Sequence, residues 1–158
     1  MHLTNRIALL LFGLASLLAL LAAYSLQYLG GFAPCELCYW QRYPYMAVIA
    51  VAAFGAITGV VRPALVLTGL LFLVGAGIAF YHVGVEQGVF ALPTGCASAG
   101  AATSIEDLRA QLAAAAPACD QVSVSFLGLS LSNWNGFAAA FLALASLVAL
   151  LTTRPISR

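Results

Sequence analysis

Four apolar runs, interrupted by short polar breaks and one long polar segment, dominate the pattern of this chain. They fall at roughly residues 7–26, 45–61, 64–85 and 134–152. Each is long enough, or nearly so, to cross a hydrocarbon core of about 30 Å as a helix. The second and fourth lie near the short limit, so they borrow residues from their flanks or stand little tilted. Gly13 in the first run, and Thr68, Gly69, Gly75 and Gly77 in the third, supply small residues for close helix packing. Val61-Arg62-Pro63 is a very short connection and makes runs two and three an antiparallel hairpin.

The polar breaks read differently. Tyr24, Gln27 and Tyr28 mark an exit into the interface, and Gly30-Gly31 turns the chain. Tyr39, Trp40, Tyr43 and Tyr45 crowd the start of the second run as an aromatic belt. Between residues 87 and 133, Ser104-Ile105-Glu106-Asp107 reads as an N-cap with an acid at N3. Ile105, Leu108 and Leu112 then form one stripe, stopped by Pro117, and predict a short amphipathic helix. Val122 to Leu131 alternates apolar residues with serine, which suits an extended piece and equally a short interfacial helix. The predicted fold is all-α: one membrane domain over 1–158, a four-transmembrane-helix bundle. Its two cysteine-bearing outer loops lie at about 27–44 and 86–133, with the amphipathic helix in the second.

Composition agrees. Of 158 residues, 63% are hydrophobic and 7% charged, which leaves no room for a separate soluble domain. Arg6, Arg62, Arg154 and Arg158 flank the ends that share one side of the membrane. All five acids, Glu36, Glu86, Glu106, Asp107 and Asp120, fall on the other side, with Arg42 and Arg109. The arginine excess marks the cytoplasmic side, so both termini are predicted inside and all four cysteines outside. A net charge of +1 gives no reason to expect nucleic acid. The first run exceeds a signal-peptide core of about 7 to 15 residues; its cleavage would leave Cys35 and Cys38 outside all the same.

Cys35 and Cys38 are three apart, a spacing that suits a small disulfide or a metal. A helix starting near Pro34 puts both thiols in its first turn, where the helix dipole favours thiolate. Arg42, four residues beyond Cys38, adds a second cationic influence, while Glu36 opposes it. Cys38 is the better-stabilised thiolate of the two. Cys96 and Cys119 close a long loop, for which a purely structural disulfide would contribute about 3 kcal/mol. Cys35–Cys38 closes almost no loop, which favours a redox role for it. Structural zinc sites usually join two close pairs, and the second pair here is widely split. A disulfide relay between two loops on one membrane face fits the layout, and the electrons then need an acceptor. No haem, dinucleotide or flavin pattern is present, so a membrane-dissolved quinone beside Cys38 is the economical choice. His82 and Glu86 are i and i+4 on one helix face, and the carboxylate there could fix the imidazole. Gln41, beside the arginine, reads as a ligand contact or a helix-packing residue.

The stretch Cys35-Glu36-Leu37-Cys38-Tyr39-Trp40-Gln41-Arg42-Tyr43-Pro44 resembles the disulfide-bond-formation protein B (DsbB) family, with its Cys-x-Leu-Cys motif and an arginine four residues on. Tyr81-His82-Val83-Gly84-Val85-Glu86, the Pro-Thr-Gly before Cys96, and Phe126-Leu127-Gly128-Leu129-Ser130 with Trp134-Asn135 are similar as well. The resemblance covers nearly the whole chain. It implies a bacterial inner-membrane thiol oxidase with periplasmic cysteine loops, serving a DsbA-type partner and a quinone, ubiquinone or menaquinone. By the same resemblance Cys96 forms the mixed disulfide with the partner, and Cys119 resolves it and passes electrons to Cys35. Cys38 is released as thiolate toward the quinone, and Arg42 stabilises its negative charge. His82 has two readings: a histidine near a span end making an interfacial hydrogen bond, or a residue near the quinone head with Glu86 orienting the ring. A partner could be the general oxidase or a dedicated one, and the bundle could work as a monomer. Two other readings compete. The vitamin K epoxide reductase family shares the bundle and the paired cysteines, but its close pair lies near the last span. The other is a non-enzymatic four-span protein with structural disulfides, for which loss of Cys35 and Cys38 would leave partner oxidation unchanged.

Overall fold

The structure is a computed structural model that describes residues 2–93, 96, 104–106, 109, 117–122 and 124–152. Its elements are α1 (His2–Tyr28), α2 (Glu36–Trp40), α3 (Arg42–Thr58), α4 (Val61–Glu86), a hairpin of β1 (Ser125–Phe126) and β2 (Leu129–Ser130), and α5 (Leu131–Thr152). The four long helices form a bundle in which α4 packs most extensively on α5, α1 on α3, and α3 on α4. Three of them are long and apolar enough to cross a membrane, at Asn5–Tyr28, Val61–Glu86 and Leu131–Thr152. With 17 residues, α3 is the shortest of the four and spans about 25 Å at 1.5 Å per residue.

Three of the predicted span ends shift for a physical reason. Helix α3 stops at Thr58 because Gly59 adopts φ +78°, a left-handed cap, and its N–H returns to the Gly55 carbonyl at 3.1 Å. The connection to α4 is therefore Gly59–Val60, and Val61-Arg62-Pro63 already belongs to the first turn of α4. Proline is tolerated there because first-turn N–H groups lack intrahelical partners. Helix α5 starts at Leu131, three residues before the expected start at Trp134, because Ser130 Oγ accepts the Asn133 backbone N–H at 3.3 Å as a cap.

Within the stretch from Val122 to Leu131, residues 125–130 form an extended hairpin. Ser125 pairs with Ser130 and Phe126 with Leu129, antiparallel, across a two-residue turn. Leu127 (φ 53°) and Gly128 (φ 78°) are both left-handed, as a type I′ turn requires. Ile105, Glu106 and Arg109 are helical; the rest of the expected amphipathic helix lies outside the described residues.

Phe72 sits at the centre of the core, with edge contacts to Phe12 at 6.0 Å and Tyr45 at 5.9 Å between ring centroids. Around it the helices approach on small residues. A Cβ on Gly55 would meet Ala64 Cβ at 2.5 Å and Leu9 Cδ2 at 2.9 Å, whereas one on Gly77 would meet nothing within 4 Å. The outward leucines of α1, among them Leu10, Leu11, Leu14, Leu18 and Leu21, remain exposed as a lipid-facing surface. We expect Gly55→Ala to destabilise the bundle by about 1–3 kcal/mol through overpacking. Gly77→Ala should be neutral or slightly stabilising, and thermal unfolding in detergent compares the two.

Candidate active site

The cysteine turn owes its shape to Pro44. A proline there leaves the Trp40 carbonyl without its helical N–H partner and crowds it, so the helix breaks at Gln41 into α2 and α3. Gln41 itself stays helical, at φ −66° and ψ −20°. Upstream, Cys35 caps α2 with extended backbone, and its sulfur accepts the Cys38 backbone N–H at 3.3 Å. Pro34 thus precedes the cap, where a first helical position was expected. Both thiols lie in the first turn as expected, in the free state, with their sulfurs 2.8 Å apart.

The two sulfurs are not equivalent. The Cys38 thiol is brought down to about 7, chiefly by the hydrogen bond from the Cys35 thiol, then by the Cys35 backbone N–H and by Arg42. Burial and the Glu86 charge oppose this. Cys35, buried, is pushed up by its bond to Cys38 and by desolvation. Glu36, expected to oppose the thiolate, instead accepts the Trp40 indole N–H at 3.2 Å.

Arg42 is buried and turned toward α1. It donates to Gln27 Oε1 at 2.7 Å, and its guanidinium lies over the rings of Tyr24 (4.7 Å) and Tyr39 (4.9 Å). Among the described residues no carboxylate lies within ion-pair distance of it. Gln27 and Tyr24, read in the sequence as interface markers, hold Arg42, and Gln27 lines the cleft. The signal for them was a glutamine within an otherwise apolar helix end.

The second cysteine pair is closed. Cys96 and Cys119 form a disulfide and share one buried cluster with Cys35, Leu37 and Val85. The link between the pairs is His82, a fully buried residue of α4. Its Nε2 lies 3.1 Å from the Cys119 carbonyl oxygen and 3.6 Å from Cys35 Sγ. Its Nδ1 faces Gln41 Nε2 at 2.7 Å and Ser132 Oγ at 3.0 Å. Glu86 is a looser neighbour, 3.7 Å from Nε2. Its oxygens accept Ser130 Oγ at 2.6 Å and Ser132 Oγ at 2.8 Å, so it chiefly anchors the hairpin and the start of α5. Gln41 is the residue on the histidine ring, and it also accepts from Asn135 Nδ2 at 2.6 Å. Tyr45, read as part of the belt, is buried and donates to Asn135 Oδ1 at 2.7 Å.

Cys35, Cys38 and His82 bring three metal-ligating atoms within 4.8 Å of one another. A carbonyl can only accept, so Nε2 carries a proton toward Cys119 and has no lone pair to give a metal in this arrangement. Thiol–disulfide chemistry suits the same atoms better. They line a cleft of about 880 Å³, counting its open mouth, which also includes Gln27, Arg42 and the apolar Leu20, Phe32 and Leu131.

Residues 5–149 match the family described as Disulfide bond formation protein DsbB. The chain belongs to the DsbB family. Disulfide generation by a membrane oxidoreductase is the activity that this family membership supports. The chain is 37% identical over 75 residues to Disulfide bond formation protein B of Herminiimonas arsenicoxydans, covering 46% of this chain and 48% of that one. It is also 27% identical over 126 residues to an uncharacterised protein of Rickettsia prowazekii (strain Madrid E), covering 76% of this chain and 73% of that one.

For this DsbB-family site, alkylation of the reduced protein should modify Cys38 first, with a rate that rises through about pH 7 as the thiolate forms. Cys35→Ala should move that midpoint upward, because the thiol hydrogen bond is the largest cause of the depression, and Arg42→Met should move it upward by less. Peptide-resolved iodoacetamide kinetics across pH checks both.

Proposed function

We propose that the protein is a quinone-linked thiol oxidase that reoxidises a periplasmic DsbA-type dithiol partner and thereby sustains disulfide formation in exported proteins. The observation that carries this reading is the union of both cysteine pairs in one buried cluster at the edge of a cleft holding a buried arginine. In this reading α3 is the fourth span, completed by the aromatic residues around its start. The arginine-rich ends face the cytoplasm and the cysteine loops face the periplasm of the inner membrane.

The chain's own groups then act in order. A partner thiolate attacks Cys96, the Cys96–Cys119 bond breaks, and Cys119 leaves as thiolate. The partner's second thiol closes its disulfide and frees Cys96. Cys119 attacks Cys35 of an oxidised Cys35–Cys38 pair, and Cys38 leaves as the better-stabilised thiolate, facing the cleft. Cys96 then closes back onto Cys119, which frees Cys35.

The cleft fits a quinone: its walls are apolar, Gln27 and His82 offer polar atoms, and the Arg42 cation has no carboxylate partner among the described residues. A quinone bound there supplies the acceptor for two electrons and two protons. Arg42, fixed by Gln27 and two tyrosine rings, places positive charge where negative charge develops.

With a soluble quinone and a reduced dithiol partner, purified protein should consume quinone in step with partner disulfide. Cys38→Ser should abolish this, and Arg42→Met should lower kcat/KM for quinone about 100-fold, the scale of losing one fixed electrostatic donor. Equal partner oxidation by Cys38→Ser would show that the cysteines are structural and that this reading is wrong.

A further inference from the structure

Four side chains from three helices form one directed line of hydrogen bonds that ends on the second cysteine pair. Tyr45 Oη donates to Asn135 Oδ1 (2.7 Å), Asn135 Nδ2 to Gln41 Oε1 (2.6 Å), and Gln41 Nε2 to His82 Nδ1 (2.7 Å). His82 Nε2–H then donates to the Cys119 carbonyl (3.1 Å). The direction is imposed at the far end. The carbonyl has no proton to give, so Nε2 must hold one, and a neutral ring then has a bare Nδ1 that needs a donor. Each amide in turn has only one orientation that satisfies both its neighbours.

We propose that Gln41, Asn135 and Tyr45 are positioning residues for the inter-loop exchange. They hold His82 with its proton on Nε2, and that N–H latches the Cys119 backbone beside the Cys35 sulfur. The inference rests on the proposed thiol-oxidase reading and assigns roles that the resemblance leaves open. The same nitrogen is 3.6 Å from Cys35 Sγ, so a single N–H marks the place where the Cys35–Cys119 bond forms. In the exchange one disulfide forms and one breaks, with no net redox change. The charged and titratable groups around the ring are Glu86 on α4, Cys35 and Cys38 on the capped turn, and Arg42 at the far side of the cleft. None of these donates to Nδ1, which leaves Gln41 as its neutral donor and Ser132, already committed to Glu86, as a lesser contact.

The experiment needs neither quinone nor partner, so it can fail while the oxidase reading stands. In a Cys38→Ser background, Cys35 attacks Cys119 of the Cys96–Cys119 disulfide, giving Cys35–Cys119 and a free Cys96 thiol. Its rate is followed by quenching with an alkylating agent and disulfide mapping by mass spectrometry. The His82 tautomer is read by ¹⁵N NMR, with only two histidines in the chain. Gln41→Met, which keeps the shape and removes the donor, should slow exchange about 5–10-fold, the effect of one lost hydrogen bond. It should also shift His82 toward a tautomer mixture. Asn135→Leu should do the same more weakly. Gln41→Glu should hold the rate within about threefold of the parent, because a carboxylate draws a second proton onto the ring, and the resulting imidazolium donates Nδ1–H to it while keeping Nε2–H on the carbonyl. The proposal is overturned if Gln41→Met exchanges at the parent rate. It is also overturned if Gln41→Met slows exchange while His82 stays wholly in the Nε2–H form, or if Gln41→Glu loses as much as Gln41→Met; packing alone would then explain the effect.

Discussion

A buried imidazole needs a partner on each nitrogen, and at the cysteine-bearing end of this bundle that requirement ties the molecule together. His82 cannot reach water, so α4 must present it to a carbonyl on one side and to a donor on the other. The carbonyl belongs to Cys119 in the second loop, and the donor belongs to Gln41 at the break between α2 and α3. Without that break Gln41 would be an ordinary helix residue. The break exists because proline follows three positions later. One missing backbone N–H thus fixes where the glutamine stands, and the glutamine bears on where the second cysteine pair rests.

The same break separates two adjacent side chains by task. Gln41 joins a buried polar line between helices, while Arg42 crosses the cleft to α1 and lies between two tyrosine rings. Desolvating a guanidinium is expensive unless its donors and its charge are accommodated. Gln27 and the ring faces meet part of that cost without neutralising the cation. Its field stays available to Cys38 and to the cleft, which a carboxylate partner would have quenched.

Much of this was legible in the chain. The four long helices, the two thiols in one first turn and the Cys38 preference follow from hydropathy, spacing and charge. What was not legible depends on distance across the fold. His82 and Glu86 are neighbours by periodicity, but the ring is held by Gln41 and the carboxylate by Ser130 and Ser132. Those contacts span 41 to 46 residues of sequence. Tyr45 looked like one more interfacial ring because nothing local distinguishes a buried hydroxyl from an exposed one. The hairpin after Cys119 was ambiguous for a related reason: alternation over a few residues fits a strand, while its apolar content fits a membrane surface. The two left-handed turn residues, Leu127 and Gly128, decide between them.

The two-residue link between α3 and α4 lies at the end of the bundle opposite the cysteines, yet it bears on the chemistry. Arg42 begins α3 and His82 lies near the end of α4, so the two groups face the cleft from the free tips of a single hairpin. Such a pair behaves like the jaws of a calliper whose pivot is Gly59–Val60. The distance between the two walls of the cleft is thus constrained from the far end of the hairpin as well, where only two residues join the helices.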